Sequence, residues 1–361
     1  CTSVLLDPSS AAMIYSLFLS KQALEKGANR PAGVPDQSVK KLGVLGAGLM
    51  GAGIAYVSAN AGIEVVLLDQ SLEAAEKGRS YSSDLLSKAL SRGKIDQAKK
   101  DAVLNRITPT NNYDILEGCD LVVEAVFEDV AIKADVTKLA EAQLSEEAIF
   151  ATNTSTLPIS DLSKASRDST RFIGIQFFSP VDKMMLVEII RGAETGDAAV
   201  AKALDFVRQI KKTPIVVNDD RFFYANRCII QYMNEGLRMV AEGVEPALIE
   251  NAAKQMGMPL GPLQLADETA IDLAVKIINA TKAALGDAYP ASPADDVTFH
   301  LFDSGPFSYL DILGAEQAVE IGNGLVEKHG DRFQVPKLLT DLKKTGSSFY
   351  ARYGSLQEQP A

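Results

Sequence analysis

From residue 39 to residue 218 the chain alternates short apolar runs with longer stretches of helical period. The runs at 39–45, 63–68, 120–124, 148–152, 171–178, 186–190 and 214–217 have strand length and are largely Val, Ile, Leu and Phe. Near-continuous apolar runs of this kind belong to strands buried on both faces. Between them an Ala-rich stretch after residue 48, and residues 72–92, 96–104 and 197–210, place apolar side chains at helical spacing. Strands alternating with helices predict a mostly parallel sheet covered on both sides. Beyond Asn218-Asp219-Asp220 the strand pattern stops, and helices are predicted at 226–241, 246–256, 265–285, 312–328 and 336–344. A further helix is expected at 9–27, ahead of a linker at 31–35 bounded by Pro31 and Pro35.

The first strand runs directly into Gly46-Ala47-Gly48-Leu49-Met50-Gly51, and the second ends at Asp69. In that order the three glycines differ in what they allow. Gly46 permits the tight turn, Gly48 lets backbone approach a pyrophosphate, and Gly51 lets the helix pack close to the strand. The helix N-terminus offers free N–H groups and a positive dipole end to the phosphates. Asp69 can accept hydrogen bonds from both ribose hydroxyls and would repel a 2′-phosphate, and Gln70 supplies no arginine for one. NAD is therefore favoured over NADP.

Composition narrows the partners. A chain of 361 residues with 47% hydrophobic content accommodates two domains with well-buried cores. Its net charge of −11 argues against nucleic acid. Cys1, Cys119 and Cys228 lack CxxC spacing, and only His300 and His329 are present, so no metal site is expected. A reducing compartment fits best. The apolar run at 11–20 lacks the basic flank and cleavage site of a signal peptide and is too short to span a bilayer, so no membrane span is expected and the chain reads as cut from a longer one. In the helical half, Gly261-Pro262-Leu263-Gln264-Leu265-Ala266-Asp267 echoes Gly305-Pro306-Phe307-Ser308-Tyr309-Leu310-Asp311, either as a repeat or as two unrelated helix starts.

Four segments together resemble one family. They are the turn from Gly46 with its continuation Ala52-Gly53-Ile54-Ala55, Asp120-Leu121-Val122-Val123-Glu124-Ala125-Val126-Phe127-Glu128, Asn153-Thr154-Ser155-Thr156-Leu157, and Gly174-Ile175-Gln176-Phe177-Phe178-Ser179-Pro180-Val181. All are similar to 3-hydroxyacyl-CoA dehydrogenase. Lys21-Gln22-Ala23-Leu24-Glu25-Lys26-Gly27 resembles the segment that leads into this region in the α subunit of the multifunctional fatty-acid β-oxidation complex, where an enoyl-CoA hydratase domain precedes it. The resemblance implies an α/β Rossmann-type NAD-binding domain over 39–218, behind a linker helix and linker (1–38). An all-α 3-hydroxyacyl-CoA dehydrogenase C-terminal domain for substrate binding and dimer-type packing would follow over 219–350, with a tail at 351–361. It further implies oxidation of (S)-3-hydroxyacyl-CoA to 3-oxoacyl-CoA with NAD, an acyl-CoA substrate, a thiolase β subunit as partner, and a bacterial-type cytoplasmic location, with mitochondria or peroxisomes as alternatives.

Residue by residue, the resemblance puts Met50, Asp69, Val126, Phe127 and Glu128 at NAD contacts, and Lys133 near cofactor and CoA. Ser155 falls beside the nicotinamide and the substrate oxygen, Ser179 at an asparagine position of the cofactor site, and Asn226 at a substrate-binding asparagine. Ser155 and Asn226 are expected within reach of one ligand oxygen, at the cleft between the domains. Each also has an ordinary reading: Ser155 as the cap of a helix near Pro158, Asn226 as an N-cap, Lys133 as a solvated helix charge. Lys88, Arg92 and Lys94 are candidates for CoA phosphates, with a solvated face as the simpler reading.

The chain departs from the family in three places. Gln176 stands where the family has its basic histidine, with Glu188 twelve residues on at the position of that histidine's carboxylate partner, where it is expected to hydrogen-bond the Gln176 amide. Phe222 replaces a glycine. Too few positions separate Gly261 from Gly305 to hold the intervening helices, and the segment 305–350, with Lys328-His329-Gly330-Asp331-Arg332-Phe333, resembles the end of a second helical repeat. Two functions remain open: a dehydrogenase weakened at its base, or a non-catalytic NAD- and acyl-CoA-binding scaffold. An enzyme acting on free 3-hydroxy acids is a third.

Overall fold

The computed structural model describes residues 8–36, 38–269, 274–275, 278–279, 281–283, 286–289, 292–304, 315–329 and 337–346. Two compact units divide the chain, Cys1–Arg227 and Cys228–Ala361. In the first, eight strands form one sheet: β1 (Lys41–Leu45), β2 (Glu64–Leu68), β3 (Ile107–Thr110), β4 (Leu121–Glu124), β5 (Ile149–Thr152), β6 (Phe172–Phe177), β7 (Leu186–Arg191) and β8 (Thr213–Asn218). Their order is 3-2-1-4-5-6-7-8. Every neighbouring pair is parallel except β6 and β7, which run antiparallel with Gln176 opposite Glu188. The order reverses between β1 and β4, and such a switch point, at the carboxyl ends of the strands, is where open α/β sheets bind ligands.

Ahead of the sheet lie α1 (Pro8–Ile14), a π-helical stretch Tyr15–Ser20 and α2 (Lys21–Glu25), in place of one regular helix. Met13, Ile14, Tyr15, Leu17, Phe18 and Leu19 along it are all exposed. The linker that follows is fixed by Arg30, which donates to both Asp205 oxygens at 2.8 and 2.9 Å and to the carbonyls of Val34 and Pro35, both at 2.6 Å.

The covering helices are α3 (Leu49–Asn60), α4 (Leu72–Ser91), α5 (Gln97–Leu104), α6 (Val130–Glu141), the short α7 (Ile159–Leu162) and α8 (Asp197–Gln209). Ser71, Asp96 and Asp129 cap α4, α5 and α6, each accepting from the amide three residues on. Two apolar cores flank the sheet, one containing Val44, Ile54, Leu67, Val123 and Ile189, the other Leu45, Val66, Phe150, Phe172 and Phe223.

Two elements of this unit were not expected. β3 is an edge strand paired only with β2; its sequence Ile-Thr-Pro-Thr is too polar to read as a strand, and Pro109 is tolerated because an edge needs fewer ladder bonds. Helix α6 lacks a clean apolar period because Lys133, Thr137 and Glu141 interrupt its inward face.

Among the described residues of the second unit every regular element is helical, with α9 (Ala225–Ala241, whose first three residues belong to the first unit), α10 (Pro246–Gln255), α11 (Pro262–Glu268), α12 (Pro293–Ser304), α13 (Ala315–His329) and α14 (Lys337–Thr345). The helix expected at 265–285 instead begins at Pro262, where Glu250 accepts from the amides of Leu263 and Gln264, and this first segment closes at Glu268. Helix α12 was not expected. The echo at Gly305–Asp311, the segment Gly330–Phe333 and the tail at 351–361 lie outside the described residues.

Candidate active site

The glycine turn between β1 and α3 shows three different steric demands. Gly46 has φ +91°, and a Cβ there would lie 2.6 Å from the Ala125 carbonyl oxygen. A Cβ on Gly51 would lie 1.8 Å from the Gly46 carbonyl oxygen, so α3 packs against the turn only because that position is bare. A Cβ on Gly48 would meet nothing within 4 Å beyond its chain neighbours and its own helix. Gly48 is the N-cap of α3 and supplies no side chain to the free amides of the first turn, so this face of the cradle is open to a phosphate. Asp69 holds the turn from the end of β2, accepting from Ala47 N at 2.6 Å and from Gln70 N at 2.7 Å. Met50 is half-buried against the adjoining core, while Leu49 is exposed.

Beyond β4 lies a charged cluster whose centre the sequence did not single out. Glu124, at the end of β4, is 1% exposed and accepts from Lys133 Nζ at 2.8 and 3.1 Å, from Val126 N at 2.7 Å and from Thr152 Oγ1 at 2.7 Å. Lys133 is 2% exposed and also pairs with Glu128 at 3.2 Å. It is thus not a solvated charge: its ammonium lies between two carboxylates.

Glu128 in turn gathers the loop after β5. Its Oε1 accepts from Ser155 N at 2.9 Å, from Thr156 N and Oγ1, both at 3.2 Å, and from the Thr154 hydroxyl. Burial pushes the Glu128 carboxyl up, but Lys133 and these hydrogen bonds outweigh it and hold it below the usual carboxylate range. Between the two acids, Val126 is half-buried and Phe127 is 76% exposed.

Ser155 is not a helix cap: Asp219, sixty residues away, accepts from the amides of Ile159 and Ser160 at the start of α7. The Ser155 carbonyl instead accepts from Asn226 Nδ2 at 3.1 Å. Asn226 is not an N-cap either, since it sits one residue inside α9 with its side chain turned to that carbonyl. A carbonyl can only accept, so the bond fixes which way the Asn226 amide faces and leaves Oδ1 for other partners.

On the neighbouring strands Gln176 is 3% exposed and Glu188 fully buried. Glu188 Oε1 accepts from Ala225 N at 2.8 Å and Tyr224 N at 3.1 Å. Its Oε2 has no partner, and neither does Gln176 Oε1, so the hydrogen bond expected between the two side chains is not made. Burial raises the Glu188 carboxyl above its usual range, partly offset by the two backbone amides.

The structure thus joins Val126, Glu128, Lys133, Ser155 and Asn226 in one bonded network through Glu124, and brings Glu188 to the residue next to Asn226. Ser179, Lys88, Arg92 and Lys94 are exposed.

A switch-point sheet with an open glycine turn, an acid at the end of β2 and a bonded loop after β5 defines a dinucleotide-binding α/β protein. Residues 41–220 match the NAD-binding domain of 3-hydroxyacyl-CoA dehydrogenase, and residues 223–303 match the C-terminal domain of the same enzyme. The fatty acid oxidation complex subunit alpha of Shewanella sp. (strain W3-18-1) is 38% identical over 284 residues, 78% of this chain and 40% of that protein. The chain spans about two fifths of the length of such relatives. Among solved structures, (S)-3-hydroxybutyryl-CoA dehydrogenase from Ralstonia eutropha superposes with a TM-score of 0.66 at 32% identity, covering 74% of this chain and 93% of that one. For 3-hydroxybutyryl-CoA dehydrogenase from Escherichia coli K12 the TM-score is 0.65 at 27% identity, covering 80% of this chain and 57% of that one. The chain belongs to the 3-hydroxyacyl-CoA dehydrogenase family, and NAD is the cofactor of its N-terminal region. Among the described residues no helix is long and apolar enough to cross a membrane.

Proposed function

We propose that this chain carries an NAD-dependent site for (S)-3-hydroxyacyl-CoA and its 3-oxoacyl product, with proton transfer impaired at Gln176. The observation that carries the reading is the bonded loop: Glu128 fixes the backbone of Ser155 and Asn226 fixes its carbonyl, beside a turn open at Gly48. NAD, when bound, supplies the hydride acceptor for C3 of the substrate. Gly46, Gly48 and Gly51 shape the cradle for its pyrophosphate, Asp69 takes the ribose, and Met50, Val126, Phe127 and Ser179 border it. Lys133 and Glu128 act by holding the loop after β5. Ser155 and Asn226 orient the C3 oxygen. Gln176 can hydrogen-bond that oxygen but has no useful basicity for its proton, and Glu188 stands behind it.

A second reading, a non-catalytic NAD- and acyl-CoA-binding scaffold, is favoured by that amide. The names of the relatives support a place in a fatty-acid oxidation complex; a thiolase β subunit as partner and a bacterial-type cytoplasm belong to the same proposal. NADH titration together with an NADH-absorbance assay on acetoacetyl-CoA separates the two. Binding with slow turnover supports the enzyme, and binding with none supports the scaffold. Gly48→Val and Asp69→Ala should both weaken NADH binding; if both bind as the parent does, the cofactor site has been misplaced.

A further inference from the structure

Helix α9 begins without a capping side chain of its own. The residue before it is Tyr224, which has no short polar group to offer the free amides, and the chain arrives through Phe222 and Phe223, both at positive φ. The acceptor comes from the sheet: Glu188 Oε1, on β7, takes the amides of Tyr224 and Ala225 at 3.1 and 2.8 Å. The next residue is Asn226, whose side-chain nitrogen lies 3.1 Å from the Ser155 carbonyl.

We infer that Glu188 is a positioning residue for Asn226: by capping the first turn of α9 it sets where the Asn226 amide meets the Ser155 loop, whatever side chain occupies position 176. Capping needs only one oxygen. The other oxygen, Oε2, is free of any protein partner, so it is the one that could serve a group at 176, and the two roles do not compete. Capping also needs reach rather than charge, because backbone amides are satisfied by a neutral acceptor at the same place. A glutamine keeps that acceptor at the same distance. An aspartate keeps the charge but falls one methylene short.

The inference rests on the proposed role of Asn226 in acyl-CoA binding only for its functional consequence. The test therefore compares the parent chain with Glu188→Gln and Glu188→Asp, two variants that change the buried volume little, in three measurements. Amide hydrogen exchange at Tyr224 and Ala225 should stay slow in the parent and in Glu188→Gln and speed up about tenfold in Glu188→Asp, the expected loss of a hydrogen bond from a buried group. The side-chain amide resonances of Asn226, assigned against Asn226→Asp, should move in Glu188→Asp and not in Glu188→Gln. The acetoacetyl-CoA dissociation constant measured with NADH present should rise about tenfold in Glu188→Asp alone, while NADH affinity changes less than about twofold in either variant.

Unchanged exchange in Glu188→Asp would overturn the capping role. Unmoved Asn226 resonances, or the same acetoacetyl-CoA affinity in all three proteins, would overturn the positioning role. Loss in Glu188→Gln with retention in Glu188→Asp would overturn it too, by showing that charge matters and reach does not. If the parent binds no acetoacetyl-CoA, the functional reading fails, and exchange and resonances still decide the inference.

Discussion

Replacing Gln176 with His should raise the rate at which the chain transfers hydride between NADH and acetoacetyl-CoA. The side chain at 176 is buried on β6 directly opposite Glu188 on β7, and cross-strand partners of an antiparallel pair share a face of the sheet. Glu188 already has an unpartnered oxygen there, Oε2. An imidazole at 176 would give one ring N–H to that oxygen, which fixes its tautomer and leaves the other nitrogen free to accept the proton of the C3 hydroxyl. The amide of Gln176 can do neither. A positioned general base is worth about 10²–10⁴-fold in rate, or about 3–5 kcal/mol of barrier. The assay is NADH consumption at saturating acetoacetyl-CoA, the direction in which the same group returns the proton. Turnover should rise by about a hundredfold or more, with NADH affinity unchanged. In a Glu188→Gln background the gain should shrink, because the imidazole loses its carboxylate. Equal turnover in Gln176→His and the parent would refute the reasoning: position 176 would then not face the reacting oxygen, or another residue would take its proton.

Three further outcomes follow from the same structure. Lys133→Met leaves Glu124 buried without a cation and should cost about 3–5 kcal/mol in urea denaturation; a loss below about 1 kcal/mol would mean that the pair contributes no more than an exposed one. Phe222 has φ +65°, so Phe222→Gly should be more stable than Phe222→Ala by about 1 kcal/mol, both having lost the ring; equal stabilities would show that the backbone relaxes freely. Glu188 is pushed above its usual range by burial, so the native chain binds its proton more tightly than the unfolded one, and the resulting penalty grows as pH rises from the unfolded value, about 4.3, through the folded one. Glu188→Gln should therefore gain stability at pH ~7 and show little gain at pH ~4, and the opposite trend in denaturation midpoints would refute it.

Much of this was written in local sequence. The turn from Gly46 to Gly51 and the acid at Asp69 needed only order and spacing, and helix α4 was expected to end within a residue of Ser91. The departure at Phe222 was also visible, and its φ of +65° explains why a glycine suits that place. What escaped was long-range pairing. Nothing near Lys133 announces that its charge is spent on Glu124, because the partner lies on another element and the two meet only when α6 packs on the sheet. The ordinary readings of Ser155 and Asn226 as caps failed for the same reason. Asp219 caps α7 from sixty residues away, and Asn226 turns to a loop 71 residues behind it.

The three glycines of the turn also divide the molecule's tolerance of mutation. Side chains at 46 and 51 collide with backbone that cannot yield, so variants there fail as proteins before they fail as binders. A Cβ at 48 meets nothing in the chain itself within 4 Å. A library randomised at these positions and sorted first for folded protein would accept many residues at 48 and almost none at 51. Sorted again on immobilised nucleotide, position 48 would collapse to glycine. The gap between the two sorts would measure what the ligand demands of this chain beyond what its own fold demands.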